Sequence, residues 1–115
     1  MIVNRPSIMI YTDHPDKDLL KEICAGIEEE GVLFQIVSGN GDVDELAHQA
    51  AAESMLGSGI GITGQQAAMQ MSPLPKGHNV FELIQPTLRQ CRDLGANSAR
   101  AVKKMPFRSL AGGSQ

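Results

Sequence analysis

Three consecutive carboxylates, Glu28-Glu29-Glu30, are the residues of this chain whose type and position most suggest chemistry. They end a stretch with helical spacing, just before Gly31 and an apolar run. A helix C-terminus carries about half a negative charge, so acids there cost roughly a few tenths of a kcal/mol each. No Lys or Arg precedes any of the three by three or four residues. Either these acids are simply solvated, or one of them is offered to a cation or a basic group on another molecule.

The geometry of a helix separates the three acids. At about 100° per residue, Glu30 falls within about 50° of the centre of the apolar face, Glu28 about 110° from it and Glu29 about 150° from it. The apolar face comprises Leu19, Leu20, Ile23, Cys24 and Ile27. Glu29 is therefore predicted to be the outward-pointing carboxylate.

A second polar group, Asp13-His14-Pro15-Asp16-Lys17-Asp18, comes after the first expected strand. Open α/β sheets bind ligands at the carboxyl ends of their strands, so Asp13, His14 and Asp16 could serve a small α/β enzyme. The same stretch also suits a helix start, with Pro15 in the first turn and acids near the positive end of the dipole. The residues alone leave both interpretations open.

The remaining motifs favour a binding module over an enzyme. Gly59-x-Gly61-x-x-Gly64 matches the dinucleotide fingerprint by letter, but its glycines lie inside an expected strand, and Pro73 leaves no room for the full helix that the fingerprint requires after its last glycine. No P-loop, nucleophile elbow, CxxC or HExxH pattern is present. The other two histidines and the two cysteines have no partners at ligand spacing and are expected to pack or face solvent; they are His48, His78, Cys24 and Cys91.

The composition is that of an ordinary globular chain, since 42% of the 115 residues are hydrophobic and 20% are charged. Residues 1–110 are expected to form one domain and residues 111–115 a flexible tail. A net charge of −3, three Phe, one Tyr and no Trp argue against nucleic-acid binding. The sequence contains no run of 18 apolar residues, so no membrane span is predicted. The cytoplasm is the expected compartment.

Short, mostly apolar runs predict strands over 7–12, 32–37, 59–63 and 79–84. A first helix ends at Gly31, a second begins at Asp42 with Glu45 completing a capping box, and a third is opened by Pro86 and runs to about residue 104. Residues 65–71 fit either a short helix or a strand. The order of elements predicts an α/β fold, with a mostly parallel sheet covered by helices on both faces.

The C-terminal part of the chain has a positive bias. Its basic residues are Arg89, Arg92, Arg100, Lys103, Lys104 and Arg108. They are expected to be a solvated helix face or, alternatively, a surface for an acidic partner.

Three stretches together resemble a known family. They are G-I-E-E-E-G-V at 26–32, G-I-G-I at 59–62 and L-G-A-N-S-A-R-A-V-K-K-M-P at 94–106. This combination is similar to the small subunit of the diol/glycerol dehydratase-reactivating factors. Residues 106–110 look more like the propanediol-type members than the glycerol-type ones.

The resemblance implies a non-catalytic, chaperone-like role. A large ATPase subunit, which alone would bind ATP or ADP, would be the partner in an α₂β₂ complex. By subunit exchange, this complex would release damaged cobalamin from an adenosylcobalamin-dependent diol or glycerol dehydratase. The resemblance also implies a cytoplasmic location, in which the protein could be associated with a bacterial microcompartment.

The resemblance further implies a three-layer α/β/α fold with a five-stranded mixed sheet, anticodon-binding-domain-like as in the dehydratase medium subunits. Residues 67–71 would be its one antiparallel strand. The second Glu of the motif, Glu29 here, would help to hold a Mg²⁺ shared with the large subunit, and Glu28 and Glu30 would have no role. A relative of the dehydratase medium subunit that contacts cobalamin directly, and the small enzyme using Asp13 and His14, remain the alternatives.

Overall fold

A computed structural model describes residues 5–110, so the predicted tail at 111–115 lies outside the described residues. The elements are β1 (Ile8–Pro15), α1 (Lys17–Glu29), β2 (Phe34–Ser38), α2 (Val43–Glu53), β3 (Ser58–Gly64), β4 (Gln66–Met71), β5 (Phe81–Ile84) and α3 (Leu88–Lys103). They form a five-stranded sheet in the order β2-β1-β3-β4-β5. The predicted α/β class, with a mixed five-stranded sheet, is confirmed. None of the described helices is long and apolar enough to cross a lipid bilayer.

The sheet separates two hydrophobic clusters because successive side chains of β1 point to opposite faces. Ile8 and Ile10 belong to the larger cluster, which α1 and α3 cover. Tyr11 belongs to the smaller one, where Leu46 and Ala50 of α2 pack. The helices thus lie on both faces, and α1 and α3 share one of them.

Residues 65–71, for which the sequence allowed either a helix or a strand, contain the strand β4. It runs antiparallel to β3 on one side and to β5 on the other. Ala67, Ala68, Met69 and Gln70 are all buried in it, so both faces of this strand are covered. Pairing on two sides outweighs the modest helix propensity of Gln, Ala and Met in so short a segment.

Two proline assignments were wrong by a few residues. Pro15 ends β1 and does not enter the first turn of α1, because Asp16 is the N-cap, accepting hydrogen bonds from the amides of Asp18 and Leu19. Pro86 likewise precedes Thr87, which caps α3. In both cases a capping side chain comes directly after the proline and sets the helix start.

The glycines of the apparent dinucleotide motif make room for a helix of the same chain. A methyl group added to Gly61 would lie 2.5 Å from the Ala47 amide nitrogen, and one on Gly59 would overlap the backbone at Ala51. These two glycines therefore let α2 approach β3 closely.

The helices α1 and α3 also meet backbone to backbone. A methyl group on Gly26 would collide with the Arg92 carbonyl, and one on Gly95 would collide with the Ile23 carbonyl. Cys24 and Cys91 lie in the same layer, and burial raises the pKa of each thiol to about 11. Both cysteines are free and pack in or against the larger hydrophobic cluster, as expected.

The cap of α3 gives a test of local stability. The Thr87 hydroxyl accepts from the Gln90 amide at 3.1 Å, and Gln90 Oε1 accepts from the Thr87 amide at 2.9 Å. Thr87→Ala is expected to lower the free energy of unfolding by about 1 kcal/mol. Urea unfolding checks this value, with Thr87→Ser as the control that keeps the cap. Equal losses in the two variants would contradict it.

Candidate functional site

The acidic end of α1 lies against α3 and the segment after it. Glu29 is the last residue of the helix, Glu30 is its C-cap, and Gly31 takes the left-handed φ of +75° that the sequence predicted for the residue after the cap. Since α1 and α3 are in backbone contact, the carboxylates at this end are within reach of the basic residues of α3.

Glu30 is the most enclosed of the three acids, with a side chain only 8% exposed. Its carboxylate lies 3.1 Å from Arg100 Nε, 3.0 Å from Lys103 Nζ and 3.4 Å from Arg108 Nη2. Lys103 also donates to the Glu30 carbonyl at 2.7 Å. The hydrogen bond from Lys103, helped by Arg100, holds the pKa of Glu30 below its ordinary value.

Glu30, for which the resemblance implied no role, is thus paired with cations of its own chain. The cations come from residues 70 or more positions later in the same chain. Spacing within one helix could not reveal them, because i, i+3 and i, i+4 rules see only neighbours on that helix.

Glu29 is more open, with a side chain 43% exposed. Arg92 Nη1 donates to its Oε2 at 2.6 Å, and Arg108 Nη2 lies 3.6 Å from its Oε1. The predicted exposure of Glu29 is thus present. Its side chain nevertheless has two cationic neighbours in its own chain, which the sequence did not predict.

Arg92 links two acids of α1. Its Nε and Nη2 lie 3.0 and 2.9 Å from the same oxygen of Glu22, while Nη1 reaches Glu29. The hydrogen bond to Glu22 is the main reason why the pKa of Arg92 is raised. Because one guanidinium donates through several nitrogens, these ion pairs fix the orientation of the side chains more narrowly than a single contact would.

The segment after α3 is fastened to that helix by Asn97. This fully buried side chain accepts from the Arg108 amide at 2.6 Å and donates to the Arg108 carbonyl at 3.0 Å. Arg108 Nη1 also lies 3.2 Å from Asp93 Oδ1. Sequence reasoning missed both Asn97 and Asp93, although a lone Asn on the apolar face of a helix signals a buried polar contact.

An open groove of about 420 Å³ runs along this region. Its charged lining comprises Glu22, Glu29, Asp93, Arg89, Arg92 and Arg108. Leu88 also borders the groove and is 49% exposed. The groove therefore places two further acids and three arginines around the exposed carboxylate of Glu29.

Comparison with known proteins agrees with this architecture. The family model for the dehydratase medium subunit matches residues 5–108. The propanediol dehydratase-reactivating factor small subunit of Citrobacter freundii is 36% identical over 105 residues, or 90% of each chain. That of Salmonella typhimurium is 36% identical over 107 residues, or 91% of this chain and 92% of that protein. The chain belongs to the dehydratase-reactivating factor small subunits.

Solved structures of reactivating factors share the fold. One is the diol dehydratase-reactivating factor complexed with ADP and Mg²⁺, with a TM-score of 0.86 at 33% identity over 92% of this chain and all of the other. Glycerol dehydratase reactivase gives a TM-score of 0.87 at 29% identity, covering 92% of this chain and 99% of that one. The family resemblance found in the sequence is confirmed.

The Asp13 region of this small subunit does not form a compact cluster. His14 Nδ1 lies 2.7 Å from Asp13, but the His14 side chain is 98% exposed. Asp13 also accepts from the Gly41 amide at 3.2 Å, and the bond to His14 is the main reason why its pKa is lowered. Asp16 is occupied as a helix cap. The arrangement fits a turn and a helix start better than an acid/base site.

As a site for Mg²⁺, this small subunit has a suitable but incomplete donor set. Within residues 5–110, no three His, Cys, Asp or Glu side chains lie together so that they could hold a metal ion. Glu29 is exposed, and its Oε1 accepts no hydrogen bond from the described residues. A carboxylate oxygen suits Mg²⁺, which binds through one or two protein carboxylates and completes its shell with waters and phosphates. Glu29 therefore fits as one ligand of an ion whose other ligands lie elsewhere.

Proposed function

We propose that this chain is the non-catalytic small subunit of a reactivating factor and acts together with an ATPase large subunit. The complex would release damaged cobalamin from an adenosylcobalamin-dependent diol or glycerol dehydratase, with this chain exchanging places with a dehydratase subunit. The observation that carries the proposal is the 36% identity to named reactivating-factor small subunits over nine tenths of both chains. An α₂β₂ assembly in the cytoplasm, with microcompartment association, completes it.

Within this complex, Glu29 gives a carboxylate oxygen to a Mg²⁺ that the large subunit also binds, while ATP or ADP is bound by the large subunit alone. Two observations support this. The carboxylate is 43% exposed beside an open groove, and a solved relative of similar fold is described as complexed with ADP and Mg²⁺. When bound, the ion supplies a positive centre that carboxylates of both subunits can share.

Copurification from the native host tests the complex itself. A tagged version of this chain is expected to bring down a large subunit with ATPase activity. Native mass spectrometry then gives the stoichiometry, expected to be two copies of each subunit. Recovery of the chain alone at physiological concentration would overturn the proposal.

Glu29→Gln tests the shared metal. The amide keeps the shape of the side chain but is a much weaker ligand for Mg²⁺, so affinity for the large subunit in Mg²⁺ is expected to fall roughly tenfold or more. Affinity in EDTA is expected to stay the same. Surface plasmon resonance on the purified subunits measures both, with the exposed neighbour Glu28→Gln as the matched control. Unchanged Mg²⁺-dependent affinity in Glu29→Gln would exclude the metal bridge.

A second function has one observation in its favour, since the matching family model is named for the dehydratase medium subunit. A relative of that subunit would contact cobalamin directly. Titration of the purified chain with adenosylcobalamin, monitored by absorbance, distinguishes the two. Binding at micromolar concentration would favour the second function.

A further inference from the structure

Of the two oxygens of the Glu29 carboxylate, Oε2 accepts a hydrogen bond and Oε1 accepts none from the described residues. Arg92 donates to Oε2 at 2.6 Å, whereas the nearest cation to Oε1, Arg108 Nη2, lies 3.6 Å away and beyond hydrogen-bonding distance. A carboxylate fixed through one oxygen can no longer rotate freely. The direction in which Oε1 presents its lone pairs is therefore set by Arg92.

Arg92 is itself fixed at both ends of its side chain. At the tip, two of its nitrogens lie 2.9 and 3.0 Å from one oxygen of Glu22, a side chain only 23% exposed. At the base, the Arg92 carbonyl packs against Gly26, where no β-carbon intervenes. The guanidinium is planar and rigid, so a contact at one edge orients the edge that faces Glu29.

We propose that Arg92 is a positioning residue for the metal ligand Glu29, and that Glu22 holds Arg92 in place. The inference rests on the proposed function of Glu29. In this arrangement Arg92 of α3 bridges two acids of α1, Glu22 and Glu29. The bridge orients Oε1 of Glu29 toward the shared cation. Such second partners of a metal ligand typically change metal affinity by about 10- to 100-fold when removed.

The orientation that Arg92 gives to Glu29 favours Mg²⁺ binding, whereas the positive charge of Arg92 opposes it. A guanidinium beside the carboxylate repels a divalent ion, so simple loss of charge would strengthen Mg²⁺ binding while loss of orientation would weaken it. Arg92→Lys separates the two effects, because lysine keeps the charge but cannot donate in a rigid fork to Glu22 and Glu29 together. Because the charge is unchanged, a decrease in Mg²⁺-dependent affinity is the result that lost positioning predicts for that variant.

The experiment uses the complex of this chain with its large subunit and measures the ratio of dissociation constants without and with Mg²⁺. We expect Arg92→Lys to lower this ratio by about tenfold. Arg100→Lys is the matched control, since it makes the same change on the same helix but affects Glu30 instead of Glu29. Its ratio is expected to stay within about twofold of the original chain. Thermal unfolding of each variant alone records any loss of folded protein.

The outcomes separate this inference from the proposed function. A ratio that falls in Glu29→Gln and in Arg92→Lys, but not in Arg100→Lys, supports the positioning role. A ratio that falls in Glu29→Gln but is unchanged in Arg92→Lys overturns the positioning role and leaves the metal bridge standing. Equal ratios in the original chain and Glu29→Gln overturn the metal bridge, and the role of Arg92 with it.

Discussion

Replacing Gly95 by alanine is expected to lower the free energy of unfolding by about 3 kcal/mol, at the upper end for added volume in a packed interior. The added methyl group would collide with the Ile23 carbonyl, where α1 and α3 are in backbone contact. A backbone carbonyl cannot turn aside as a flexible side chain can. The two helices must therefore separate, and the buried side chains between them lose contact.

The predicted loss of stability in Gly95→Ala is opposite in sign to the usual effect of this exchange in a helix. In an exposed helix interior, exchanging glycine for alanine stabilises by about 0.8 to 1.0 kcal/mol, because alanine has the higher helix propensity. Guanidinium unfolding of Gly95→Ala measures the difference. Gly31→Ala is the control, since that position is open but has a φ of +75°, and its expected loss is about 1 kcal/mol from backbone strain alone. Stabilisation by Gly95→Ala would contradict the close helix contact.

Glu30→Gln is expected to destabilise the chain by about 3 kcal/mol at pH 7. Removing the charge leaves Arg100, Lys103 and Arg108 gathered around a neutral amide, and breaking an enclosed ion pair from one side costs about 3 to 5 kcal/mol. We take the lower figure because these cations are 24 to 34% exposed and partly screened by water. The exposed neighbour Glu28, changed to Gln, should cost less than about 0.5 kcal/mol.

The pH dependence of the same variant provides an independent check. The folded chain holds the pKa of Glu30 below its ordinary value of 4.5, so over that range the unfolded chain binds more protons. The contribution of this carboxylate is thus fully present above pH 4.5 and is lost as the pH falls through the folded pKa. Urea midpoints between pH 6 and pH 3 should fall less steeply in Glu30→Gln. An equally steep fall would show that Glu30 is not the titrating group.

Local patterns were sufficient for most of the fold. The short apolar run of β1, the capping box at Asp42 and Glu45, and the glycine after α1 each describe neighbours in sequence, and each was confirmed. The strand at 66–71 was ambiguous in the sequence because it is stabilised by tertiary pairing, with β3 on one side and β5 on the other. No propensity scale contains that information.

The candidate site was only partly predictable for the same reason. Helix geometry gave the exposure of Glu29 correctly. It could not place Arg92 or Arg108 beside that residue, since those contacts depend on how closely α3 packs on α1. The glycines that permit this packing, Gly26 and Gly95, were visible in the sequence, but their meeting in the fold was not. The role of Glu29 as a Mg²⁺ ligand stays a prediction.

The distribution of the ion pairs also determines when the site is completed during synthesis. The acids lie at positions 22 to 30, whereas every basic residue that pairs with them lies between 92 and 108. A ribosome adds about 5 to 20 residues per second, so roughly 4 to 16 seconds pass between the addition of Glu30 and that of Arg108. Until then Glu29 and Glu30 lack their cations at the negative end of the helix dipole, and Arg92 and Arg108 are not yet there to hold the Glu29 carboxylate. A chain that has not yet reached Arg108 therefore lacks the complete set of ion pairs that holds Glu29 and Glu30 against α3.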